Sequence, residues 1–160
     1  MFRVGFGFDV HRLAEGESLW LGGIQLAHYK GTVAHSDGDV VLHAISDALL
    51  GAAKLRDIGY HFPDTDPKYK NADSKLLLKE CMKLVEAKGY RLGNIDVTIA
   101  AEQPKLKPVI PQMEACIAEI LGADEDQISI KATTTERMGF EGREDGISTY
   151  AVVLLVSSKL

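Results

Sequence analysis

An α+β fold built on a mixed sheet is what three observations in this sequence predict. The first ten residues alternate strictly between apolar and other side chains. Three later stretches repeat their apolar residues at helical spacing between recognisable caps. Strand and helix segments then interleave along the chain, until two strand segments follow one another at the end. With 160 residues, 46% of them hydrophobic, there is enough apolar material for one core, and residues 1–160 read as one domain.

The first strand carries Phe2, Val4, Phe6, Phe8 and Val10 in alternation with Arg3, Gly5, Gly7 and Asp9. Side chains two apart share a strand face, so Asp9 and His11 lie side by side on the polar one, where Gly5 and Gly7 are expected to leave open space. A hairpin over 19–26 turns at Gly22-Gly23. A helix over 39–53 follows, because Val41, Ala44, Ile45, Ala48, Leu49 and Ala52 form its apolar seam, while Asp39, His43 and Asp47 form a stripe on the opposite side.

Beyond that helix, Asp57-Ile58-Gly59 and Phe62-Pro63-Asp64-Thr65-Asp66-Pro67 have the turn chemistry of an acidic loop without evident secondary structure. Loops of this length often serve a ligand. Asn71-Ala72-Asp73-Ser74 supplies capping residues for a helix that runs to Lys88 and stops at Gly89. A strand over 91–101 is marked by Ile95, Val97 and Ile99. After the connection punctuated by Pro104 and Pro108, Pro111 suits the first turn of a helix ending at Leu121-Gly122. Two closing strands, over 128–135 and 147–156, are joined by the glycine- and charge-rich stretch 138–146.

Composition narrows the partners. The net charge of −5 and scattered Lys and Arg residues give no basic footprint, which argues against nucleic acid. A polyanionic substrate would need local metals, helix ends or a few basic groups, since the overall field repels it. Cys81 and Cys116 sit in apolar helical patterns and read as buried thiols rather than a disulfide. No apolar run reaches membrane-spanning length, and the N-terminus enters the first strand at once. The expectation is a cytoplasmic bacterial protein, ahead of a mature plastid one.

Two groups of residues look chemical. Asp9, His11 and His43 offer one oxygen and two nitrogens, a set that suits a three-ligand zinc site with one open position. Asp-X-His also arises by chance, and a helical histidine is often just hydrogen-bonded, so both uses stay open. Asp47 is open in the same way, between orienting His43 and being a solvated acid. The second group, Lys131-Ala132-Thr133-Thr134-Thr135-Glu136, ends a strand with three hydroxyls and a carboxylate. It could hold phosphate oxygens and a Mg²⁺ ion, or be a Thr-rich strand with an exposed Glu.

Six blocks together resemble the 2-C-methyl-D-erythritol 2,4-cyclodiphosphate synthase family of the non-mevalonate isoprenoid pathway. They are Gly7-Phe8-Asp9-Val10-His11, Ala34-His35-Ser36-Asp37-Gly38-Asp39, Asp57-Ile58-Gly59, Phe62 to Pro67, Pro111-Gln112-Met113 and Lys131 to Glu136, in the family's order and spacing. The resemblance implies an α+β subunit with helices on one side of a mixed sheet. It further implies a homotrimer with the sheets facing the threefold axis and active sites between neighbours. The implied reaction is attack of the 2-phosphate of 4-diphosphocytidyl-2-C-methyl-D-erythritol 2-phosphate on its own β-phosphate, releasing CMP.

The resemblance also implies roles. Asp9, His11 and His43 would hold Zn²⁺, and Glu136 would hold Mg²⁺ or Mn²⁺ with the substrate's phosphates. His35 and Ser36 would contact phosphate, with His35 and Thr134 as the catalytic pair that stabilises the transition state. Asp57, Ile58, Gly59, Phe62, Pro63, Asp64, Thr65 and Asp66 would form the methylerythritol pocket. Ala101, Pro104, Lys105 and Leu106, with Ala132, Thr133, Thr134 and Thr135, would form the cytidine and diphosphate pocket of the neighbour, with Phe140 and Arg143 nearby. Lys107 and His61 stand where the family varies. Phe8 would line an apolar channel on the trimer axis able to hold an isoprenoid diphosphate, or would simply pack the interface. Two rivals from other classes remain: a zinc hydrolase using the same three ligands to activate water, and a non-catalytic isoprenoid- or nucleotide-binding trimer.

Overall fold

A computed structural model describes residues 1–158 apart from 64, 70 and 71. Its elements are β1 (Phe2–Glu15), β2 (Leu19–Leu21), β3 (Ile24–Leu26), β4 (Lys30–Thr32), α1 (Val40–Ala52), α2 (Ile58–His61), α3 (Ser74–Ala87), β5 (Tyr90–Ala100), α4 (Ile110–Leu121), β6 (Ile128–Thr133), α5 (Gly139–Gly142) and β7 (Gly146–Ser157). Single 3₁₀ turns lie at Pro67–Tyr69 and Glu125–Gln127.

Helix ends fall where side-chain chemistry puts them. Asp39 caps α1 by accepting from the N–H groups of Val41 and Leu42, and Asp73 caps α3 by accepting from Lys75. Gly122, left-handed at φ 62°, closes α4, which carries Pro in its first turn. The acidic loop is more ordered than its sequence suggests. Asp57 Oδ1 accepts from Tyr60 N at 2.8 Å and winds residues 58–61 into the single turn of α2.

Five strands form the sheet in the order β4-β1-β7-β5-β6, with β2 and β3 a separate hairpin. The two closing strands are consecutive in sequence but do not pair. β5 lies between them, antiparallel to β7 and parallel to β6. A parallel neighbour needs a crossover, and α4 supplies it between β5 and β6.

The covered face of β1 is the opposite of what its alternation suggests. Gly5 and Gly7 are buried, while Phe2, Val4, Phe6, Phe8 and Val10 are exposed, from 73% at Phe2 to 41% at Val10. The space beside the glycines is not open, because α1 fills it. A Cβ on Gly5 would stand 1.9 Å from Ala48 O, and one on Gly7 1.9 Å from Ala44 O. Backbone therefore lies on backbone, a close approach that only glycine permits. The core is the layer between this sheet face and helices α1, α3 and α4, filled by Ile45, Leu49, Leu78, Ile95, Ile99, Met113 and Ile117.

Candidate active site

The contact between β1 and α1 also builds the site. Asp9 and His11 follow Gly7 on the covered face of β1, and His43 precedes Ala44, the residue whose carbonyl Gly7 accommodates. Asp9 Oδ2 consequently lies 3.1 Å from both His11 Nδ1 and His43 Nδ1. One donor atom from each residue falls within 4.8 Å of the other two, and all three residues are half-buried. His11 Nδ1 is buried and has no hydrogen-bond partner among the described residues. An orphaned nitrogen beside a second imidazole and a carboxylate fits a divalent metal with borderline-soft preferences.

Electrostatics agree with that use. Burial would raise the Asp9 carboxyl, but the close imidazoles of His11 and His43 outweigh it and hold the pKa below the ordinary carboxylate value. Burial likewise opposes a charge on His43, yet Asp9 first, then Asp39 and Asp37, bring its pKa above the ordinary histidine value. The three groups thus form a site prepared for positive charge.

Neighbouring acids divide their work differently from the stripe suggested by sequence. Asp39 is fully buried, and its carboxylate accepts from four backbone N–H groups: those of Gly22, Gly23, Val41 and Leu42. It pins the hairpin to the start of α1. Asp47 makes no hydrogen bond to His43 among the described residues, though the two interact electrostatically, and it does not stand free in solvent: its Oδ1 accepts from Ile58 N at 2.8 Å and so fixes the start of α2. The residues that do meet His43 on its far side are Ser74 and Ser36. No helical or strand period points at Ser74, which looks like part of a helix cap.

A cavity of about 390 Å³ opens beside the metal cluster. Asp9, His11, His35, Ser36 and His43 line it, together with Ile58, Gly59 and Phe62 from the acidic loop. Asp57, Pro63, Thr65 and Asp66 lie on that loop but outside this lining; Asp66 accepts from Lys68 N at 2.9 Å. Asp64 lies outside the described residues. Sequence reasoning did not single out Arg12, Tyr69 and Leu77, which also line the cavity.

A second cavity, of about 300 Å³, is formed by Ala101, Pro104, Lys105, Leu106, Ala132, Thr133 and Thr134, joined by Lys107 and Lys131. The peptide bond between Gln103 and Pro104 is cis. This cavity shares no lining residue with the first. His35 and Thr134 therefore line different cavities of the chain. Thr135 lies just past the second cavity, with its hydroxyl donated to Met138 O at 2.6 Å. Glu136 is exposed on a left-handed backbone at φ 53°, and its carboxylate has no partner among the described residues. Phe140 and Arg143 line a third cavity, against His11 and Arg12 at the outer end of β1.

Known proteins resemble this chain over nearly its whole length. The YgbB family model matches residues 2–156. A 2-C-methyl-D-erythritol 2,4-cyclodiphosphate synthase of Porphyromonas gingivalis is 64% identical over 157 residues, covering 98% of this chain and 97% of that one. A solved 2C-methyl-D-erythritol-2,4-cyclodiphosphate synthase in a form bound to CDP superposes with a TM-score of 0.89 at 38% identity, over 96% of this chain and 100% of that one. The bifunctional IspDF of Campylobacter jejuni superposes with a TM-score of 0.95 at 46% identity, over 98% of this chain but only 42% of its own length.

Proposed function

The chain belongs to the YgbB family of 2-C-methyl-D-erythritol 2,4-cyclodiphosphate synthases, and from that premise we propose how its residues divide the reaction. The activity is an intramolecular phosphoryl transfer. An oxygen of the 2-phosphate forms a bond to the β-phosphorus, the bond from that phosphorus to the CMP phosphate breaks, and CMP leaves while the diphosphate closes into a ring. Water is not consumed, and the attacking phosphate is already an anion at neutral pH. The protein's task is therefore positioning and charge stabilisation rather than strong general-base catalysis.

Asp9, His11 and His43 would hold Zn²⁺, and Glu136, whose carboxylate has no partner among the described residues, would hold Mg²⁺ or Mn²⁺ together with substrate phosphates. When bound, these ions supply Lewis acidity to phosphate oxygens and offset the charge that develops on the leaving group. His35 and Ser36, beside the metal cluster, would donate to the phosphates. The lining residues Ile58, Gly59 and Phe62 would seat the carbon skeleton. The hydroxyls of Thr133, Thr134 and Thr135, with Lys105 and the backbone around Ala101 and Leu106, would take the diphosphate and cytosine ends.

The separation of the two cavities supports assembly. One substrate needs both, and His35 and Thr134 can act as a pair only when they come from neighbouring chains. The exposed apolar face of β1, continued on β7 by Tyr150 and Val152, suits burial around a threefold axis. Phe8 packs against Tyr150 with ring centroids 5.2 Å apart, so both would line that axis, where an isoprenoid diphosphate would sit. Among the described residues no helix is long and apolar enough to cross a membrane, which is in keeping with an enzyme of the bacterial cytoplasm.

The observation that carries the metal-dependent reading is the convergence of three ligand atoms, one of them an orphaned nitrogen, on the wall of a cavity. Phosphorus NMR tests it. Protein given the diphosphocytidyl substrate, Zn²⁺ and Mg²⁺ should produce two coupled diphosphate resonances with CMP, and no change after chelation. A phosphomonoester product would mean hydrolysis instead. A Glu136→Ala variant should lose turnover, and near wild-type turnover there would rule out its metal role.

A further inference from the structure

Both ring nitrogens of His43 are engaged, on opposite sides. Nδ1 lies 3.1 Å from Asp9 Oδ2, whereas Nε2 lies 2.8 Å from Ser74 Oγ and 3.4 Å from Ser36 Oγ. Ser74 Oγ in turn donates to Asp37 Oδ1 at 2.5 Å. A serine hydroxyl has one hydrogen, and a carboxylate can only accept it. With that hydrogen given to Asp37, Ser74 Oγ can only accept from His43, so Nε2 must carry a proton.

Asp37 cannot swing away from this duty. Its Oδ2 accepts from Ser74 N at 2.9 Å and its Oδ1 also accepts from Asp39 N at 3.1 Å. Ser74 is just as confined: it is 1% exposed and is the first residue of α3, so its position follows the helix axis.

We propose that Ser74 and Asp37 are positioning residues for the metal site. Asp37 orients the Ser74 hydroxyl, the hydroxyl keeps the proton of His43 on Nε2, and the Nδ1 lone pair is thereby left facing Asp9 and His11 as a metal ligand. The inference rests on the reading of Asp9, His11 and His43 as metal ligands and goes beyond it. It has a geometric corollary. The acidic loop between α1 and α3 is held at both ends by α1 and the segment before it: Asp47 takes Ile58 N at one end, and Asp37 with His43 takes Ser74 at the other. The loop's downstream anchor and the metal ligand's partner are the same hydroxyl.

Outer partners of metal-bound histidines are typically worth about 10- to 100-fold in metal affinity. Zinc dissociation constants of the full chain, read by competition with a chromogenic chelator, should therefore rise about 10- to 100-fold in Ser74→Ala. In Asp37→Asn, where the amide oxygen can still accept, the rise should be on the order of tenfold. Proton NMR adds a readout that loss of packing would not move. The zinc-loaded wild type should show a slowly exchanging, downfield His43 Nε2–H resonance, which disappears in Ser74→Ala. Should Ser74→Ala fail to fold, Asp37→Asn carries the same test. A wild type that binds no zinc through these three residues would overturn the metal reading itself. Zinc binding by the wild type, with both variants within twofold of it and the Nε2–H signal retained, would overturn the positioning role alone.

Discussion

Replacing Gly7 by Ala adds one methyl group at the point where β1 and α1 touch. Built on the existing backbone, that carbon stands 1.9 Å from Ala44 O and 2.8 Å from Ala48 N. Both are main-chain atoms of a buried helix and cannot rotate away. Carbon and carbonyl oxygen meet at about 3.3 Å or more, so α1 must lift by roughly 1.4 Å. Carried to the next residue, that lift widens the 3.1 Å gap between Asp9 Oδ2 and His43 Nδ1 to about 4.5 Å. Two ligands each about 2.1 Å from zinc stand at most about 4.2 Å apart, even on opposite sides of the ion. Gly7→Ala should therefore cost the site its third ligand.

Overpacking of this kind also costs about 3 kcal/mol or more of stability, which for a chain of this size is roughly 6 to 12 °C in melting temperature at fixed protein concentration. The assay pairs thermal denaturation with zinc affinity. Gly5→Ala is the comparison: its Cβ would stand 1.9 Å from Ala48 O, one helical turn further from the ligands. It should destabilise to a similar degree with a smaller loss of zinc. A Gly7→Ala protein that melts and binds zinc like wild type would refute the argument that this backbone contact sets the metal geometry.

Three further outcomes follow from the same structure. Phe6 is 63% exposed in the single chain, so Phe6→Asp should leave the fold intact but place a charge in the proposed sheet-face interface; where the wild type sediments as the proposed trimer of 17.4 kDa chains, the variant should sediment at 17.4 kDa, and a variant that stays trimeric would remove that face from the interface. Zinc requires neutral His43, whose pKa stands above 6.5 because Asp9, Asp39 and Asp37 outweigh the opposing effect of burial. Affinity should thus be full above that raised value and fall as pH drops through it, while Asp9, held below 3.8, stays ionised; an affinity flat from pH 8 to pH 6 would contradict this. Burial pushes the Cys81 thiol up to about 12, so at pH 8 only about one part in ten thousand is thiolate, and iodoacetamide should spare it in the native protein; rapid labelling there would show that the α3 core opens.

Much of the local structure was legible because local chemistry decides it. The alternation of residues 2–10 made a strand, the capping residues around Asp73 marked a helix start and Gly122 marked a helix end, each through interactions spanning a few residues, whereas Asp39, read as part of a polar stripe, proved to be the cap of α1. The metal cluster was legible for a related reason: Asp9 and His11 share a strand face by period, and His43 stands on a helix face by period. Their meeting was an expectation, and the structure brings them within 4.8 Å.

What the sequence by itself determined was therefore the elements, their order and the residue types offered for chemistry. Only the tertiary structure decided which face of β1 is covered. Alternation distinguishes two faces but not what packs on them, and a glycine reads as empty space until a helix backbone fills it. It also decided that β5 parts β6 from β7, that Asp47 serves a loop, and that Ser74 and Asp37 serve His43. Those contacts join residues 11 to 37 positions apart, or strands whose pairing depends on a crossover. No period of 2 or 3.6 residues encodes them, because their geometry exists only after the layers have packed.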